Sequence, residues 1–565
     1  MSHCLLPRFA ARAAAVTAVL ASTFITAPSM AQERLAPAAG SSSATLTDGT
    51  QPVVVVTVGS INKLMQDVNY ITGVAGQPQF GGIFAMMAGT YAQGMNMDQP
   101  IGVLVPMVDG TPQPIVVLPT TDVRQILKRL EAQTGPVDEL DDGTLFVTIN
   151  QNSLYIKQNA TNAVAAQNQS ALKLAPENTA DLFKGMGNAY DIAVRLKVQQ
   201  VPIEIRNLLI DQMRQGFEQA MARQPDSESA RDVAQNSIEQ LERVIQDADE
   251  VNFGLNIDQA NQNIGLDFSF AAVGGTQLAS VYGGQQPIPS RFASVIRDDA
   301  AAFVHGASSI GPEAIEQAKE SIEASLGMIK GAIANEGNLS DDQINEIDQY
   351  ITRLSEIITD SLSEGRSDVG ALVMAGRDEF QAVIGTFVAD GSKVAALAKD
   401  LSTKVPNSPD APKFKFDIGN FGGVTMHLIE ADVPEREEEV RKLFGDKIQV
   451  HIGTAPKAVY IAVGRGSEDL LKQFITAGAN DNGDRPLGQA KFRLLPFMEL
   501  AQSIKENNGV AAVIGALSSS NDKGEFRVIT TSIPNGSSVK ITIGEGLIKA
   551  IGAAAVAGQR RQQAF

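Results

Sequence analysis

The sequence predicts an α+β protein of two similar modules, each an antiparallel sheet with helices on one face and an inserted helical hairpin. The main observation is a pattern that occurs twice: strand, tight turn, strand, helix. Its strands are Leu145–Ile149 and Leu154–Ile156 in the first copy, and Ile448–Ile452 and Val459–Val463 in the second. Tyr155 and Tyr460 hold the same place in the two copies. We expect the helices that follow to begin at Thr161 and Ser467.

A second observation places the boundary between the modules. Gly283-Gly284 and the segment Pro287–Pro289 interrupt the apolar pattern, as turn and linker residues do. The predicted organisation is a signal peptide over residues 1–31, a flexible lead-in over 32–50, a first module over 51–285 and a second module over 286–565. The helical hairpins are predicted at 202–247 and at 312–364, so each module carries one hairpin, at a different place.

The first module begins with Val53–Val58, a continuous β-branched run that predicts a buried strand. Ser60 is predicted to cap a helix that runs to Tyr70, and a small-residue helix follows over Phe80–Met95. The next elements are a hairpin about Asp109-Gly110 and a helix that starts at Thr120 or Thr121 and carries apolar residues from Val123 to Leu130 on one face. After the repeated pattern come a short helix at Phe183, a strand over Tyr190–Val198, the helical hairpin, and strands over Val251–Ile257 and Ile264–Ala271.

The second module is predicted to repeat this order. Its strands are Ala301–His305, Gly370–Met374, Ala382–Phe387, Gly423–Ile429, the two of the repeated pattern, Val510–Ala516, Phe526–Thr531 and Val539–Ile543. Its helices, besides the hairpin, are Val394–Leu401, the one at Ser467, Phe497–Ile504 and Leu547–Ala557.

One arm of the second hairpin has apolar residues at spacings of three and four, as a coiled-coil seam does. These residues are Ile344, Ile347, Ile351, Leu354 and Ile358. The two arms of a hairpin can satisfy such a seam by packing on each other. Any apolar face left over would be a surface for a partner protein or for a second copy of the chain.

The first thirty-one residues have the form of a signal peptide. Arg8 and Arg12 make a basic start, Ala13–Ile25 is a short apolar run, and small residues before Gln32 predict cleavage between Ala31 and Gln32. The sequence thus predicts export to the periplasm or the extracellular space. The only cysteine, Cys4, lies in the signal peptide. A mature chain without cysteine has no disulfide, thiol nucleophile or cysteine-based metal site.

The composition excludes some classes of partner. The chain has 44% hydrophobic and 19% charged residues and a net charge of −18. Nucleic acid is an unfavourable partner because its binding needs clustered Lys and Arg. An anionic membrane surface is unfavourable for the same reason, because such a surface attracts basic patches and repels an acidic chain. After the signal peptide, no apolar run reaches the length of a transmembrane helix.

Candidate catalytic and metal residues are few. His305, His427 and His451 all lie in predicted strands, and none stands in a motif with a serine or a carboxylate. A metal pair of His427 and His451 across adjacent strands is conceivable, but a half-buried position in a strand is the more common role of such a residue. Ser60 and Lys63 fit the Ser-x-x-Lys pattern of serine acyl-transferases, but no Lys-Thr-Gly or Ser-Asp-Asn companion is present.

Three glycine-containing loops suggest ligand sites only weakly. Gly464-Arg465-Gly466 lacks the third glycine of a dinucleotide-binding loop, and Asp469 stands in its place. The acidic turns Asp481–Asp484 and Asp141–Gly143 lack the ligand spacing of an EF-hand calcium loop. The simplest interpretation of all three is a turn, and we expect no cofactor.

The order of these elements, and the strand Val459–Gly464 leading into the helix start Ser467-Glu468-Asp469, resemble uncharacterised exported proteins common in planctomycetes. The likeness extends to a broader set of bacterial secreted proteins built from the same module. It covers most of the mature chain and implies an exported duplicated module. It implies no catalytic residues.

The sequence therefore favours a non-enzymatic binding or scaffold protein of the cell envelope with an unknown ligand. One alternative is a periplasmic carrier of a lipid or other apolar ligand, with the stretch Ile83–Met97 lining its cavity. A weaker alternative is a serine hydrolase that uses Ser60 and Lys63.

Overall fold

The structure is a computed structural model, and it describes residues 45–149, 152–179, 181–222, 228–335, 341–405, 408, 411–478 and 485–563. The predicted signal peptide, its cleavage site at Ala31 and Gln32, most of the lead-in and the acidic turn at 481–484 lie outside the described residues.

The described strands form one large antiparallel sheet and a small separate hairpin of β3 and β4. They are β1 (Val54–Val58), β2 (Ile101–Val105), β3 (Met107–Val108), β4 (Thr111–Pro112), β5 (Ile115–Leu118), β6 (Asp138–Glu139), β7 (Leu145–Ile149), β8 (Asn152–Gln158), β9 (Ala163–Ala166), β10 (Ile192–Lys197), β11 (Ala248–Asp258), β12 (Asn263–Ala272), β13 (Ala302–Ser309), β14 (Arg366–Gly376), β15 (Glu379–Phe387), β16 (Lys413–Phe421), β17 (Val424–Asp432), β18 (Lys447–Ala455), β19 (Ala458–Gly464), β20 (Gly488–Arg493), β21 (Glu525–Ile533) and β22 (Gly536–Gly544).

Most of the described helices lie in connections between these strands, and the last one follows β22. They are α1 (Ile61–Val74), α2 (Pro78–Ala92), α3 (Val123–Thr134), α4 (Gln169–Leu172), α5 (Asp181–Ala189), α6 (Ile203–Ala222), α7 (Glu228–Asp247), α8 (Gln277–Gly283), α9 (Pro312–Asn335), α10 (Asp341–Ser363), α11 (Gly391–Lys404), α12 (Glu438–Phe444), α13 (Ser467–Ala477), α14 (Leu494–Ile504), α15 (Asn508–Ser518) and α16 (Glu545–Gln563).

The strand order runs from β6 at one edge to β16 at the other. It is β6-β7-β8-β9-β5-β2-β1-β10-β11-β12 and then β22-β21-β20-β13-β14-β15-β19-β18-β17-β16. The strand pair β12–β22 joins residues of the N-terminal and C-terminal halves of the chain, from Asn263 opposite Gly544 to Ala271 opposite Gly536. The prediction of an α+β protein with an antiparallel sheet is confirmed.

The prediction that helices lie on one face of the sheet is wrong. Strand β9 is buried on both faces, because alternate residues belong to two different apolar clusters. Ala163 and Ala165 pack with Val123 and Leu127 of α3 on one face. Val164 and Ala166 of the same strand belong to the cluster that includes Phe183 and Met186 of α5. Successive side chains of a strand point to opposite faces, so helices cover both sides here.

Two predicted elements have the wrong type. The run after Thr161 is the strand β9 rather than a helix, and it pairs with both β5 and β8. Val510–Ala516 lies in helix α15 rather than in a strand, and the side chain of Asn507 accepts the backbone N–H groups of Gly509 and Val510 at its start. Both errors involve short apolar runs, for which periodicity does not separate strand from buried helix.

Two long helix pairs lie at the places predicted for the hairpins, after β10 and after β13, and two short helix pairs that were not predicted as hairpins lie at other connections. A helix pair joins β1 to β2 and another joins β10 to β11; in the C-terminal half, helix pairs join β13 to β14 and β20 to β21. The long pairs are α6–α7 and α9–α10, and the short pairs are α1–α2 and α14–α15. The long pairs meet where α7 contacts α9, and the C-terminal helix α16 contacts both α1 and α15.

Candidate functional site

The longest uncharged stretch in the described chain includes helix α2. From Val68 to Met97, thirty residues carry no Asp, Glu, Lys or Arg. A chain with 19% charged residues would on average place about six charges in thirty positions. An uncharged stretch of this length is ordinary inside a core, so its place in the fold decides what it means.

Most large side chains of α2 lie on the surface. Phe80, Ile83, Met86, Met87 and Tyr91 are between 50% and 67% exposed. Four of them, all but Met86, follow each other at spacings of three, four and four residues, and such residues share one helix face. Helix α2 therefore presents an apolar face to solvent. Met86 follows Ile83 by three residues and borders this face. We call these five residues the α2 face.

The local sequence fixes this orientation. Ser60 begins α1, with its hydroxyl accepting the backbone N–H of Lys63 at 3.1 Å. Gly76, in a left-handed conformation, and Pro78 at the first turn of α2 reverse the chain between the two helices. Gly81 packs so closely on Asn69 of α1 that an added Cβ would overlap its side chain. The small residue faces inward, and most of the large residues of α2 are turned outward.

This placement corrects one part of the carrier alternative. Ile83, Met86 and Met87 belong to the stretch predicted to line a cavity, and they lie on the outer surface. Exposed side chains do not enclose an apolar ligand, because such pockets bury most of the ligand surface.

The predicted partner surface on α10 is mostly used within the hairpin. Ile358 is buried, and Ile351 and Leu354 pack against the same cluster as Ile322 and Leu326 of α9. Ile344 and Ile347 are half-buried. The seam thus joins the two arms of the hairpin, as one reading of the spacing predicted, and leaves little apolar face for a partner.

The Ser60 and Lys63 pair of the hydrolase alternative belongs to a charged cluster. The Lys63 ammonium contacts Asp67 at 2.9 Å and also pairs with Asp191. Both aspartates are almost fully buried, and the Lys63 side chain is 49% exposed. Asp191 also accepts the backbone N–H of Ile257 at 2.6 Å.

The charges in this cluster do not suit a serine nucleophile. Burial would lower the pKa of Lys63, but hydrogen bonds and charge from Asp191 and Asp67 outweigh it and raise that pKa. Burial raises the pKa of Asp191, with the Lys63 contact acting in the opposite direction. The Ser60 hydroxyl donates to the carbonyl of Met97 at 2.9 Å. A lysine can act as a general base only when it is neutral, whereas the raised pKa keeps this ammonium protonated.

A second polar cluster was not foreseen. Ser290 Oγ donates to Asp368 at 2.6 Å, and His305 Nε2 lies 3.0 Å from the same oxygen. All three side chains are buried. The strand pairing explains the proximity of two of them, because Asp368 lies opposite Ala307, two residues from His305 and on the same face of β13. Ser290 comes from the loop before β13, which no periodicity marks.

These three residues are not arranged as a Ser-His-Asp triad. In a triad the histidine accepts the serine proton and the carboxylate orients the histidine. Here the serine is the central member, and its single hydroxyl proton goes to Asp368. Its oxygen also accepts the backbone N–H of Phe292 at 2.9 Å. The cluster ties the loop to the sheet rather than activating a nucleophile.

The strand register rules out the alternative in which His427 and His451 form a metal pair across adjacent strands. In the β17–β18 register, His427 lies opposite Ile452 and His451 lies opposite Leu428. The two histidines therefore point to opposite faces of the sheet. Within the part of the chain that the structure describes, no three His, Cys, Asp or Glu residues are grouped to hold a metal ion.

His427 is fixed as a neutral ring. Its Nδ1 accepts the backbone N–H of Asp417 at 3.1 Å, and its Nε2 lies 3.0 Å from Thr454 Oγ1. Burial lowers its pKa, the Asp417 carboxylate partly opposes this, and Lys399 adds to the lowering. Burial likewise lowers the pKa of His451.

We expect the protein to lose stability as the pH falls through the histidine range. A histidine with a lowered folded pKa binds its proton more readily when unfolded, so stability falls as pH drops below the ordinary value of 6.5. Urea unfolding between pH 7.5 and 5.5 measures this slope. His427→Gln should reduce the slope, and adding His451→Gln should reduce it further. A slope unchanged in the double variant would contradict the assignment.

The other predicted loops serve the fold. Gly464 and Gly466 have left-handed backbones at the start of α13, and Arg465 donates to the carbonyl of Arg441 at 2.8 Å. Arg465 also borders a cavity of about 300 Å³ together with Lys442, which donates to the carbonyl of Ile504 at 2.8 Å. Both cationic side chains thus donate to backbone carbonyl groups near the C-termini of helices, where positive charge is favourable.

Sequence reasoning missed the α2 face. The uncharged stretch is visible in the sequence, but an apolar helix is expected to be buried. Nothing in the pattern shows that, among the described elements, α2 would pack mainly against α1.

No protein-family model, curated protein or solved structure matches this chain. In the described part of the chain, the helices are too short or too polar for any one of them to span a bilayer.

Proposed function

We propose that the protein is an exported, non-catalytic binding protein of the cell envelope, and that the α2 face is its binding surface. The observation that carries the proposal is the exposure of five large apolar side chains on one uncharged helix. Contiguous exposed apolar patches on soluble proteins commonly mark interaction sites. Export rests on the N-terminal sequence, with its basic start, apolar run and small residues before Gln32.

The binding role is favoured over catalysis by the state of the candidate groups. The Lys63 ammonium is paired with two carboxylates and is not a free base for Ser60. Ser290 is buried, so its hydroxyl is not presented to a substrate. A nucleophile needs a base that can take its proton. An acylating serine probe should therefore leave Ser60 and Ser290 unlabelled, and labelling of either would support the hydrolase alternative.

We also propose that the scaffold is a duplicated module. Counting outward from the β12–β22 pair, the order is β12, β11, β10, β1, β2, β5, β9, β8, β7, β6 on one side and β22, β21, β20, β13, β14, β15, β19, β18, β17, β16 on the other. In this alignment the β1–β2 connection, which holds a short helix pair, corresponds to the β13–β14 connection, which holds a long one. The β10–β11 connection holds a long pair and corresponds to the β20–β21 connection, which holds a short one. In this alignment β8, which holds Tyr155, corresponds to β18, so the repeat seen in the sequence is shifted by one strand.

A photocrosslinking experiment in the producing organism tests the binding surface. A photoreactive phenylalanine analogue replaces Met86 in the full chain. The matched control places it at Leu401, which is 47% exposed on helix α11 and directly follows Lys399 and Asp400. We expect a discrete crosslinked species from position 86 and none from position 401. Equal behaviour of the two positions, with or without crosslinks, would overturn the proposed role of α2.

A further inference from the structure

The charge and the area of the α2 face limit the kinds of partner that can bind to it. We infer that the α2 face pairs with the same face of a second copy of this chain, as a helix pair across a two-fold axis. This inference rests on the proposed function, because it names the partner of the same surface. Cyclic dimers bring one patch against itself, so the patch must be self-complementary.

Charge gives the first argument. Two copies of a chain with net charge −18 repel each other, and a self-association surface must keep like charges apart. The stretch Val68–Met97 is uncharged, so two copies can meet along α2 without placing carboxylates together. The exposed residue Leu401, by contrast, stands next to Lys399 and Asp400.

The same charge pattern disfavours a lipid surface. Helices that lie on membranes combine an apolar face with a polar face rich in Lys and Arg. Helix α2 has no Lys or Arg, and neither do the residues on either side of it from Val68 to Met97. An acidic chain is also repelled by anionic headgroups.

Area gives the second argument. If a fully exposed aromatic side chain presents about 200 Å² and Ile or Met somewhat less, the five exposed side chains present about 550 Å². A stable interface buries about 800 Å² on each partner. The exposed Gln79, Gly82 and Thr90 lie beside them on α2 and add to this area. One helix face therefore comes close to what a dimer needs.

The shape of the helix is suitable for such a pair. Gly82 and Gly89, two turns apart, have no atom within 4 Å of an added Cβ, so the backbone there is open to close approach. Met86 lies between them, and methionine adapts readily to an apolar partner surface.

Analytical ultracentrifugation of the full chain without its signal peptide tests the inference. We expect the wild-type chain to be a dimer at micromolar concentration. Met87→Glu and Phe80→Glu should each raise the dissociation constant of the dimer at least tenfold. Leu401→Glu is the matched control and should leave the dimer intact. Circular dichroism must show the same fold in every variant. A monomeric wild type, or a dimer that survives both α2 substitutions, would overturn the inference.

Crosslinking distinguishes a second copy of the chain from the other possible partners of the α2 face. Cys4 lies in the predicted signal peptide, so Met87→Cys in a Cys4→Ser background gives one reactive thiol. A bismaleimide should then give a covalent species of twice the chain mass. Photocrosslinking from position 86 to a different protein, to lipid, or to residues 32–44 of the same chain would each overturn the dimer. The first two outcomes would leave the proposed binding role standing, whereas no crosslink at all would overturn both.

Discussion

Replacing Lys63 with methionine is expected to lower the free energy of unfolding by about 2–4 kcal/mol, somewhat less than the loss typical of breaking a fully buried ion pair. The substitution removes the ammonium between Asp67 and Asp191, whose side chains are almost fully buried. It leaves two carboxylates close together without that cation. Methionine keeps most of the apolar stem and has a similar helix propensity, so α1 itself should not be weakened.

The expected loss of stability is moderated by the solvent exposure of the Lys63 side chain. The Lys63 side chain is half exposed, and water can therefore reach part of the site after substitution. Asp67 retains its hydrogen bond from Gln259 at 2.7 Å, and Asp191 retains the backbone N–H of Ile257. These donors reduce the penalty of the unpaired carboxylates without abolishing it.

Urea unfolding followed by circular dichroism measures the loss, with Lys393→Met as the matched control. Lys393 pairs with Asp360 on the surface, with both side chains about half exposed, and its removal should change little. Lys63→Arg retains the charge and should recover most of the stability. A Lys63→Met protein as stable as the Lys393→Met control would show that the cluster contributes no stability.

The deficit of Lys63→Met should also shrink at low pH. Burial already raises the pKa of Asp191 in the native protein, and loss of the ammonium removes an opposing influence. A carboxyl with a raised folded pKa binds its proton more tightly in the folded state, so the variant gains stability relative to wild type as the pH falls toward that pKa. A deficit independent of pH between 7 and 4.5 would point to lost packing instead.

The sequence predicted the class of fold and many of its elements because periodicity and caps are local properties. Ser60 as a helix cap and the turn at Asp109-Gly110 follow from side-chain and backbone preferences within a few residues. Strand β9 was misjudged because an Ala/Val run carries no alternation when both faces are buried. The type of that run is decided by its neighbours β5 and β8, which lie elsewhere in the chain.

The candidate sites were less predictable for the same reason. Whether α2 is buried depends on which helix packs on it, and that information is distributed over the whole chain. The cluster of Ser290, His305 and Asp368 joins residues up to seventy-eight positions apart. By contrast, His427 and His451 lie on opposite faces because each is one residue away from the position opposite the other in the β17–β18 pair. The sequence pattern did not determine this pairing register.

The second large effect is expected at Phe292. Its side chain is fully buried and contacts Tyr460 and Phe474, with ring centroids 5.5 and 5.8 Å away. An added Cβ at Gly370 or Gly385 would overlap Phe292, so the side chain fills space that these two glycines leave open. Phe292→Ala removes most of this filling and should lower the free energy of unfolding by about 3–5 kcal/mol.

Phe183→Ala should have an effect of similar size in the other half of the sheet. Phe183 is also fully buried and packs over Gly102 of β2 in the same manner. The matched control is Phe253→Ala, whose side chain is 40% exposed on β11 and should lose clearly less. Thermal unfolding monitored by circular dichroism ranks the three variants, and a Phe253→Ala loss equal to the other two would contradict the packing argument.

The pair of core variants also tests how the two halves of the sheet depend on each other. The halves share the β12–β22 pairing, and α7 contacts α9 across them. If this shared structure couples the halves, Phe183→Ala and Phe292→Ala should each move the whole transition to lower urea concentration. If each variant instead splits the curve and moves only one step, the halves unfold independently, and the β12–β22 pairing adds little to the stability of either.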